Sequence, residues 1–223
     1  APTGIAAINA EGVTIHSFFQ LPLSPYIPGT TFNHGENKYQ KFNKVKRDIL
    51  RTLDLLVIDE ISMVRADLLD AVDSVMRSYR DYGKPFGGVQ LLLIGDLQQL
   101  SPVIKDNEWE LLKSVYDTPY FFSSKALAQA SYHTVELKTV YRQQDVSFIS
   151  LLNKIREKKA DETTLAELNK RYIPGFTPSK DSNYIRLTTH NYQAQSVNDH
   201  ELAQLQSEEH TYTAEVEGVF PET

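Results

Sequence analysis

The hydrophobic pattern of the chain is dominated by two short apolar runs with almost no polar alternation. The first lies in residues 53–64 and the second in residues 89–100, and each run ends abruptly in acidic or amide side chains. Unbroken runs of Leu, Val and Ile are typical of strands covered on both faces, as in the parallel sheets of α/β proteins. The pattern therefore predicts two covered strands in an α/β fold.

The segment between these runs has helical periodicity. Its apolar residues recur at helical spacing and its charged residues lie elsewhere on the wheel; the former are Leu68, Leu69, Val72, Val75, Met76 and Tyr79, the latter Asp67, Asp70, Arg77 and Arg80. Residues 83–88, rich in Gly and Pro, end the predicted helix. We therefore expect a β-α-β unit with a right-handed crossover.

Weaker patterns predict the remaining elements. Helices are expected near residues 5–10, 38–47, 109–115, 148–155, 163–168 and 192–205, the last with Asn191 as its cap. Strands are expected at residues 13–15, 134–137 and 183–189, with a strand and helix start at 121–127 and an unfinished strand or hairpin at 211–220. A new set of helix and strand patterns begins near residue 146 and predicts a further α/β lobe.

Polar side chains follow both apolar runs. Asp59 and Glu60 end the first, and Asp96 and Gln99 follow the second. Ligands bind beyond the carboxyl ends of parallel strands, and carboxylates are suitable ligands for Mg²⁺. One of two adjacent acids can bind the metal while the other activates the attacking water. This arrangement favours nucleotide hydrolysis as the function. The alternative is that each strand-final Asp only caps the following helix.

Composition narrows the class of protein. The 223 residues carry a net charge of −6, no cysteine and six scattered histidines. These numbers exclude a disulfide framework and thiolate zinc sites, and they disfavour a surface coated with basic charge. No stretch is long and apolar enough to span a membrane, so we expect a bacterial cytoplasmic protein, or a nuclear or mitochondrial one if the source is eukaryotic.

Three further features have both a functional and a structural interpretation. Residues 38–47 interleave cations with aromatics, as strand-binding surfaces do, but a solvated helix face has the same composition. His16, beside two Phe residues, could contact an unpaired nucleotide or simply belong to the core. Arg142, after a predicted strand, could bind a γ-phosphate or form a surface salt bridge.

Taken together, the motifs resemble those of a superfamily-one helicase. They occur in the expected order at residues 1–7 (APTGIAA), 14–19 (TIHSFF), 57–64 (VIDEISMV), 95–103 (GDLQQLSPV) and 137–143 (LKTVYRQ). The segment 68–88, which ends in KPFGG, resembles the signature of the Pif family of DNA helicases. The resemblance implies a first RecA-like domain at residues 1–143, without its P-loop strand, and the beginning of a second at 144–223.

This resemblance implies a role for each candidate residue. Asp59 would bind Mg²⁺, Glu60 would activate water, Gln99 would sense the γ-phosphate, and Arg142 would be an arginine finger. Single-stranded DNA would be contacted by Thr3, Gly4 and His16 in the first domain and by Thr189, His190 and Asn191 in the second. The family further implies ATP as cofactor, 5′-to-3′ translocation, unwinding at single-strand/duplex junctions, G-quadruplex resolution and a monomeric state.

The sequence also departs from the family pattern. No glycine opens a G-x-x-x-x-G-K-S/T loop, and the late helicase motifs are absent. We therefore expect a piece of a longer polypeptide that neither hydrolyses ATP nor unwinds DNA by itself. The alternatives are a RecD-like or phage-type helicase and, from another class, a catalytically inactive remnant that binds single-stranded DNA or a protein.

Overall fold

The computed structural model of the chain describes residues 1–29, 42–179, 182, 184–207 and 210–213. The chain forms two compact units, Ala1–Lys159 and Ala160–Thr223. The boundary expected after residue 143 concerns RecA-like domains and stays a prediction. Parts of three predicted elements, at residues 38–41, at 183 and at 214–220, lie outside the described residues.

The first unit is built from two strands and six α-helices within the described ranges. These are α1 (Gly4–Asn9), α2 (Ile15–Phe19), α3 (Lys44–Thr52), β1 (Leu55–Ile58), α4 (Ala66–Tyr79), β2 (Gln90–Leu93), α5 (Asp106–Leu112) and α6 (Val146–Arg156). The second unit contains α7 (Glu162–Asn169) and α8 (Asn191–Leu202). No helix in the described part of the chain is long and apolar enough to cross a membrane.

The predicted β-α-β unit is confirmed as a parallel pair joined through α4. Strand β1 pairs with β2 in a register that places Leu56 beside Leu91 and Ile58 beside Leu93. Helix α4 packs its apolar stripe against the sheet, and Leu69, Val72 and Met76 share one buried cluster with Leu56 and Ile58. This cluster is the core of the first unit.

The expectation that both faces of the strands are covered is wrong. Leu56 and Ile58 are buried, but Leu55 and Val57 are 42% and 47% exposed. Successive side chains of a strand point to opposite faces, and α4 packs against only one of them. Within the described residues, the face that carries Leu55 and Val57 is therefore the open one.

Helix α4 also buries three carboxylates, two of which, Asp67 and Asp70, were expected to lie away from its apolar stripe. Asp67, Asp70 and Asp73 are only 2%, 4% and 9% exposed. Each carboxylate accepts hydrogen bonds, most of them from loops packed against the helix. The donors are Tyr26 and Arg65 for Asp67; Tyr116, Ser124, Lys125 and Ala126 for Asp70; and Arg77 and Phe86 for Asp73.

Several predicted elements take a different form. Residues 13–15 are not a strand, because the Thr14 side chain accepts a hydrogen bond from the Ser17 N–H and begins α2. Residues 121–127 form 3₁₀ turns, and residues 134–137 and 184–189 have no regular structure. Asn191 is the first residue of α8, and His190 occupies the cap position without a side-chain hydrogen bond to the backbone of the helix.

The turn between α4 and β2 depends on a glycine. Gly87 has a φ of +64°, and a Cβ added there would lie 2.7 Å from the Arg80 Cβ and 2.8 Å from the Met76 carbonyl oxygen. The Arg80 guanidinium donates to the Gly87 carbonyl and also to carbonyls at the end of α3. Arg80 therefore ties the end of α4 to both the KPFGG segment and the end of α3.

Candidate functional site

The tips of the two strands are joined directly, as the predicted acidic edge requires. The Ile94 N–H donates to the Ile58 carbonyl, and the Ile94 carbonyl accepts from the Ile61 N–H, each at 2.9 Å. These bonds place the turn containing Asp59 beside the turn containing Asp96. The two segments therefore form one rim at the carboxyl end of the sheet.

The first turn of the rim leaves carboxylate oxygens available. Glu60 adopts a left-handed backbone conformation, with φ 54° and ψ 45°, and its N–H donates to Asp59 Oδ1 at 2.9 Å. Both side chains are partly exposed. In the described part of the chain, the other oxygen of Asp59 and both oxygens of Glu60 accept no hydrogen bond. The turn is therefore able to bind a cation or a water molecule.

The two turns of the rim touch at a glycine. A Cβ added to Gly95 would lie 2.9 Å from Ile61 Cγ2, 3.0 Å from the Ile61 nitrogen and 3.2 Å from the Ser62 nitrogen. Two of these neighbours are backbone atoms, so a side chain here would separate the turns. Gly95 was not among the predicted site residues, although its place directly after an apolar run is a signal for close backbone approach.

The second turn is held by Asp96. Its Oδ1 accepts from the Gln98 N–H at 3.0 Å and from Arg156 Nη2 at 3.3 Å, and its Oδ2 accepts from Gln99 Nε2 at 3.2 Å. Partial burial alone would raise the pKa of Asp96, but these three donors outweigh it and hold the pKa below its ordinary value. Asp96 and Gln99 are therefore brought together as predicted residues of one site.

Among the described residues, Arg156 contacts this rim and Arg142 does not. Arg142 lies in an exposed segment without regular structure, and within the described ranges it forms no hydrogen bond or ion pair. The strand that was expected to deliver it to the rim is absent, so that geometric argument no longer holds. Arg156 was missed because its position in the last turn of α6 gives no sequence signal for a contact 60 residues away.

Thr3 and His16 line a common cleft of about 290 Å³ in the first unit. Its walls are mainly apolar, formed by Pro2, Leu21, Pro22, Leu23, Met63, Leu68, Ala71 and Val103, with Ser24, Tyr26, Arg65 and Asp67 among the polar lining residues. The Thr3 hydroxyl accepts from the Ala6 N–H and begins α1. Gly4, the first residue of that helix, is exposed. The three residues expected to contact DNA thus lie at or beside one cleft.

An ion-pair network controls the electrostatics of this cleft. Arg65 donates to Asp67 at 2.6 and 2.8 Å and to Glu108 at 3.1 Å. Burial lowers the pKa of His16, the positive charge of Arg65 lowers it further, and Asp67 partly opposes both effects. The half-buried imidazole is therefore biased toward its neutral form, which can both donate and accept a hydrogen bond.

The remaining predicted DNA contacts lie in the second unit. Thr189 Oγ1 lies 2.8 Å from His190 Nδ1, and the Thr188 hydroxyl donates to the His190 carbonyl at 3.2 Å. Asn191 follows at the start of α8, and Thr189, His190 and Asn191 are all exposed. These side chains form a contiguous polar group at a helix start.

Comparison with known proteins identifies the family. A family model described as PIF1-like helicase matches residues 1–165. This chain belongs to the PIF1-like helicase family. The ATP-dependent DNA helicase PIF1 of Saccharomyces cerevisiae is 34% identical over 96% of the chain, and the human helicase of that name is 33% identical over 96%.

Solved structures agree with this PIF1-like assignment and confirm the RecA-like α/β class. The crystal structure of Pif1 helicase from Bacteroides in complex with ADP-AlF3 and ssDNA matches 93% of the chain at 39% identity, with a TM-score of 0.83. The Candida albicans Pif1 structure matches 93% at 28% identity and 0.69. The chain spans 47% and 44% of these two proteins, and 23% and 31% of the yeast and human helicases.

The rim of this PIF1-like chain fits Mg²⁺ by the chemistry of its donors. Asp59 and Glu60 offer free carboxylate oxygens on adjacent residues, and Mg²⁺ in nucleotide sites is usually held by one or two carboxylates, waters and phosphates. Among the described residues, no group of three or more acidic or imidazole side chains is placed to enclose a cation. The rim therefore suits a metal that arrives with a nucleotide better than a permanently enclosed one.

Proposed function

We propose that this chain is the central part of an ATP-dependent DNA helicase that moves 5′ to 3′ on single-stranded DNA. Residues 1–143 belong to the first of two RecA-like domains, without its P-loop strand, and residues 144–223 begin the second; hydrolysis of ATP, with Mg²⁺, is coupled to the closure of the two domains. The observation that carries the proposal is the joined pair of strand tips, where Asp59 and Glu60 keep free oxygens beside Asp96 and Gln99. Family membership supports the same assignment.

The free oxygens allow separate chemical roles. Asp59 would hold Mg²⁺, and the metal would supply positive charge to the phosphates. Glu60, on the same turn, accepts a proton from the attacking water. Gln99, whose amide is oriented by Asp96, hydrogen-bonds the γ-phosphate, and Arg142 stabilises the negative charge that develops during transfer.

The DNA strand is bound by two groups of residues. Thr3, Gly4 and His16 supply contacts from the first unit, where Thr3 and His16 line one cleft. Thr189, His190 and Asn191 supply exposed polar groups from the second. The complex of Bacteroides Pif1 with ssDNA supports this substrate class. We extend the proposal to single-strand/duplex junctions and G-quadruplexes, and to a monomeric enzyme.

Residues 1–223 alone are proposed to lack ATPase activity. The sequence contains no glycine-rich phosphate loop. The rim can therefore contact the γ-phosphate of ATP, but these residues provide no cradle for the β-phosphate. The activity is therefore assigned to a full-length protein that contains this chain. DNA-stimulated ATP hydrolysis by residues 1–223 alone would contradict this part of the proposal.

The deciding experiment changes Glu60 to Gln in the full-length protein. Nucleotide binding should persist, while DNA-stimulated turnover should fall by about 10²–10⁴ through loss of the general base. The matched control is Asp54→Asn, which removes an exposed carboxylate at the other end of β1 and should leave turnover unchanged. Unchanged turnover in Glu60→Gln would remove Glu60 from the mechanism, and a wild-type protein without DNA-stimulated ATPase would refute the function.

A second variant tests the proposed role of the Arg142 side chain. Arg142→Ala should lower turnover without weakening the binding of a fluorescent single-stranded oligonucleotide, because an arginine finger acts on the transferring phosphoryl group. The loss of turnover expected for such a residue is about 10³-fold or more. Weakened DNA binding with normal turnover would instead make Arg142 a DNA contact.

A further inference from the structure

The end of helix α6 is connected to the strand-tip rim by one ion pair. Arg156 Nη2 donates to Asp96 Oδ1 at 3.3 Å, and both residues belong to the unit Ala1–Lys159. The Arg156 side chain is 52% exposed and that of Asp96 is 24% exposed. Exposed pairs of this kind contribute little to stability. Loss of this contact should therefore leave the stability of the fold nearly unchanged, so any effect on activity can be measured separately.

The Asp96 carboxylate transmits this contact to Gln99. Its two oxygens have different partners: Oδ1 accepts from Arg156 and the Gln98 N–H, whereas Oδ2 accepts from Gln99 Nε2. A carboxylate is planar, so donors that fix Oδ1 also fix the direction in which Oδ2 faces. The orientation of the Gln99 amide thus depends on both donors to the opposite oxygen.

A backbone constraint acts on the same residue. The Gln99 N–H donates to the Asp96 carbonyl at 3.0 Å, which fixes the main chain of the turn. The side-chain amide has only the Asp96 carboxylate as a partner among the described residues. Without Arg156, the carboxylate could rotate away from Gln99 or toward a cation at the rim, while the fold of the turn would persist.

We infer that Arg156 is a positioning residue for ATP hydrolysis, acting through Asp96 on the amide of Gln99. This inference rests on the proposed function, in which Gln99 contacts the γ-phosphate. Arg156 does not touch the nucleotide in this scheme. It brings the last turn of α6 to the rim and holds the sensing amide in its reactive orientation.

The test uses steady-state ATPase kinetics of the full-length protein with saturating single-stranded DNA. Arg156→Ala should lower kcat roughly tenfold, less than the 10²-fold that a 1 Å misplacement of a reacting group can cost. The KM for ATP, the affinity for the oligonucleotide and the melting temperature should stay near the wild-type values. Arg156→Lys should restore part of the loss, because it keeps a positive charge near Asp96.

A double-variant cycle separates this mechanism from a general structural effect. In a Gln99→Ala background, Arg156→Ala should cause no further loss of kcat, because the residue through which it acts is gone. Arg51→Ala removes an exposed arginine from α3 and is the matched control with unchanged kcat.

Two results would overturn the inference: wild-type kcat in Arg156→Ala, or an equal loss with and without Gln99. These results differ from a failure of the proposed function, in which the wild-type protein itself would show no DNA-stimulated ATPase.

Discussion

The first unit contains two groups of carboxylates whose surroundings are opposite. On α4, Asp67 and Asp70 are buried, and their oxygens accept hydrogen bonds from side chains and backbone N–H groups. At the strand tips, Asp59 and Glu60 are partly exposed, and within the described residues only one of their four oxygens accepts a hydrogen bond. Carboxylates on α4 therefore stabilise the packing of the unit, whereas carboxylates at the strand tips are available to bind a metal ion or a water molecule.

The difference shows how to separate structural from functional acids. A buried carboxylate is tolerated only when donors from the protein replace its lost water, and removing it leaves those donors unpaired. An exposed carboxylate with free oxygens costs little to keep and can bind a metal or a water molecule. Substitutions in the first group should thus change stability, and substitutions in the second should change activity.

The largest expected effect on stability is at Asp70. Asp70→Ala leaves four donors without their acceptor, of which three are buried (the hydroxyls of Tyr116 and Ser124 and the N–H of Ala126) and one, the Lys125 N–H, is partly buried. We expect the free energy of unfolding to fall by about 4 kcal/mol or more. Urea denaturation of Asp70→Ala and Asp59→Ala checks this, and equal losses in the two variants would remove the distinction between the two groups of acids.

The carboxylates at the strand tips were predicted from the sequence better than the buried carboxylates on α4. The acidic rim was found because apolar runs end visibly at Asp59 and Asp96, and the ends of parallel strands meet by geometry. The burial of Asp67 and Asp70 was missed because, apart from Arg65, their donors lie 41 to 56 residues away along the chain. A helical wheel contains no information about such distant partners.

The same reasoning explains the other differences. The strand expected at 134–137 had the right composition, but a strand needs a neighbour for its backbone hydrogen bonds, and residues 131–141 are exposed and unpaired in the described structure. Helices α4, α6 and α7 were predicted well because their hydrogen bonds are local. Arg156 depends on a tertiary contact and could not be found from spacing.

An intermediate effect is expected where the rim itself is tightly packed. Gly95→Ala should separate the two turns of the rim, because the new Cβ would approach backbone atoms of Ile61 and Ser62. Overpacking of this kind costs about 1–3 kcal/mol of unfolding free energy. The full-length protein should also lose turnover, since Glu60 and Gln99 lie on opposite sides of the contact.

Gly83→Ala is the matched control for this substitution. A Cβ at Gly83 would meet only the Asp81 side chain, at 3.4 Å, so stability and turnover should stay near the wild-type values. Urea denaturation and ATPase assays of both variants provide the comparison. A Gly95→Ala variant with wild-type stability and turnover would mean that the two turns can separate freely.

The smallest expected effect concerns the cleft, where a histidine rather than a carboxylate is partly buried. Burial and Arg65 lower the pKa of His16, so the folded protein binds fewer protons there than the unfolded chain. Its contribution to stability is therefore complete above the unfolded pKa of about 6.5 and is lost as the pH falls toward the lowered value in the folded state. His16→Gln should flatten this part of the stability profile, by less than about 1 kcal/mol because solvent screens the half-exposed ring. Urea denaturation between about pH 8 and pH 5 measures the pH dependence of the unfolding free energy. The exposed residue His133, changed to Gln, is the control for loss of an imidazole. A wild-type pH dependence in His16→Gln would show that Arg65 and burial do not act on this ring.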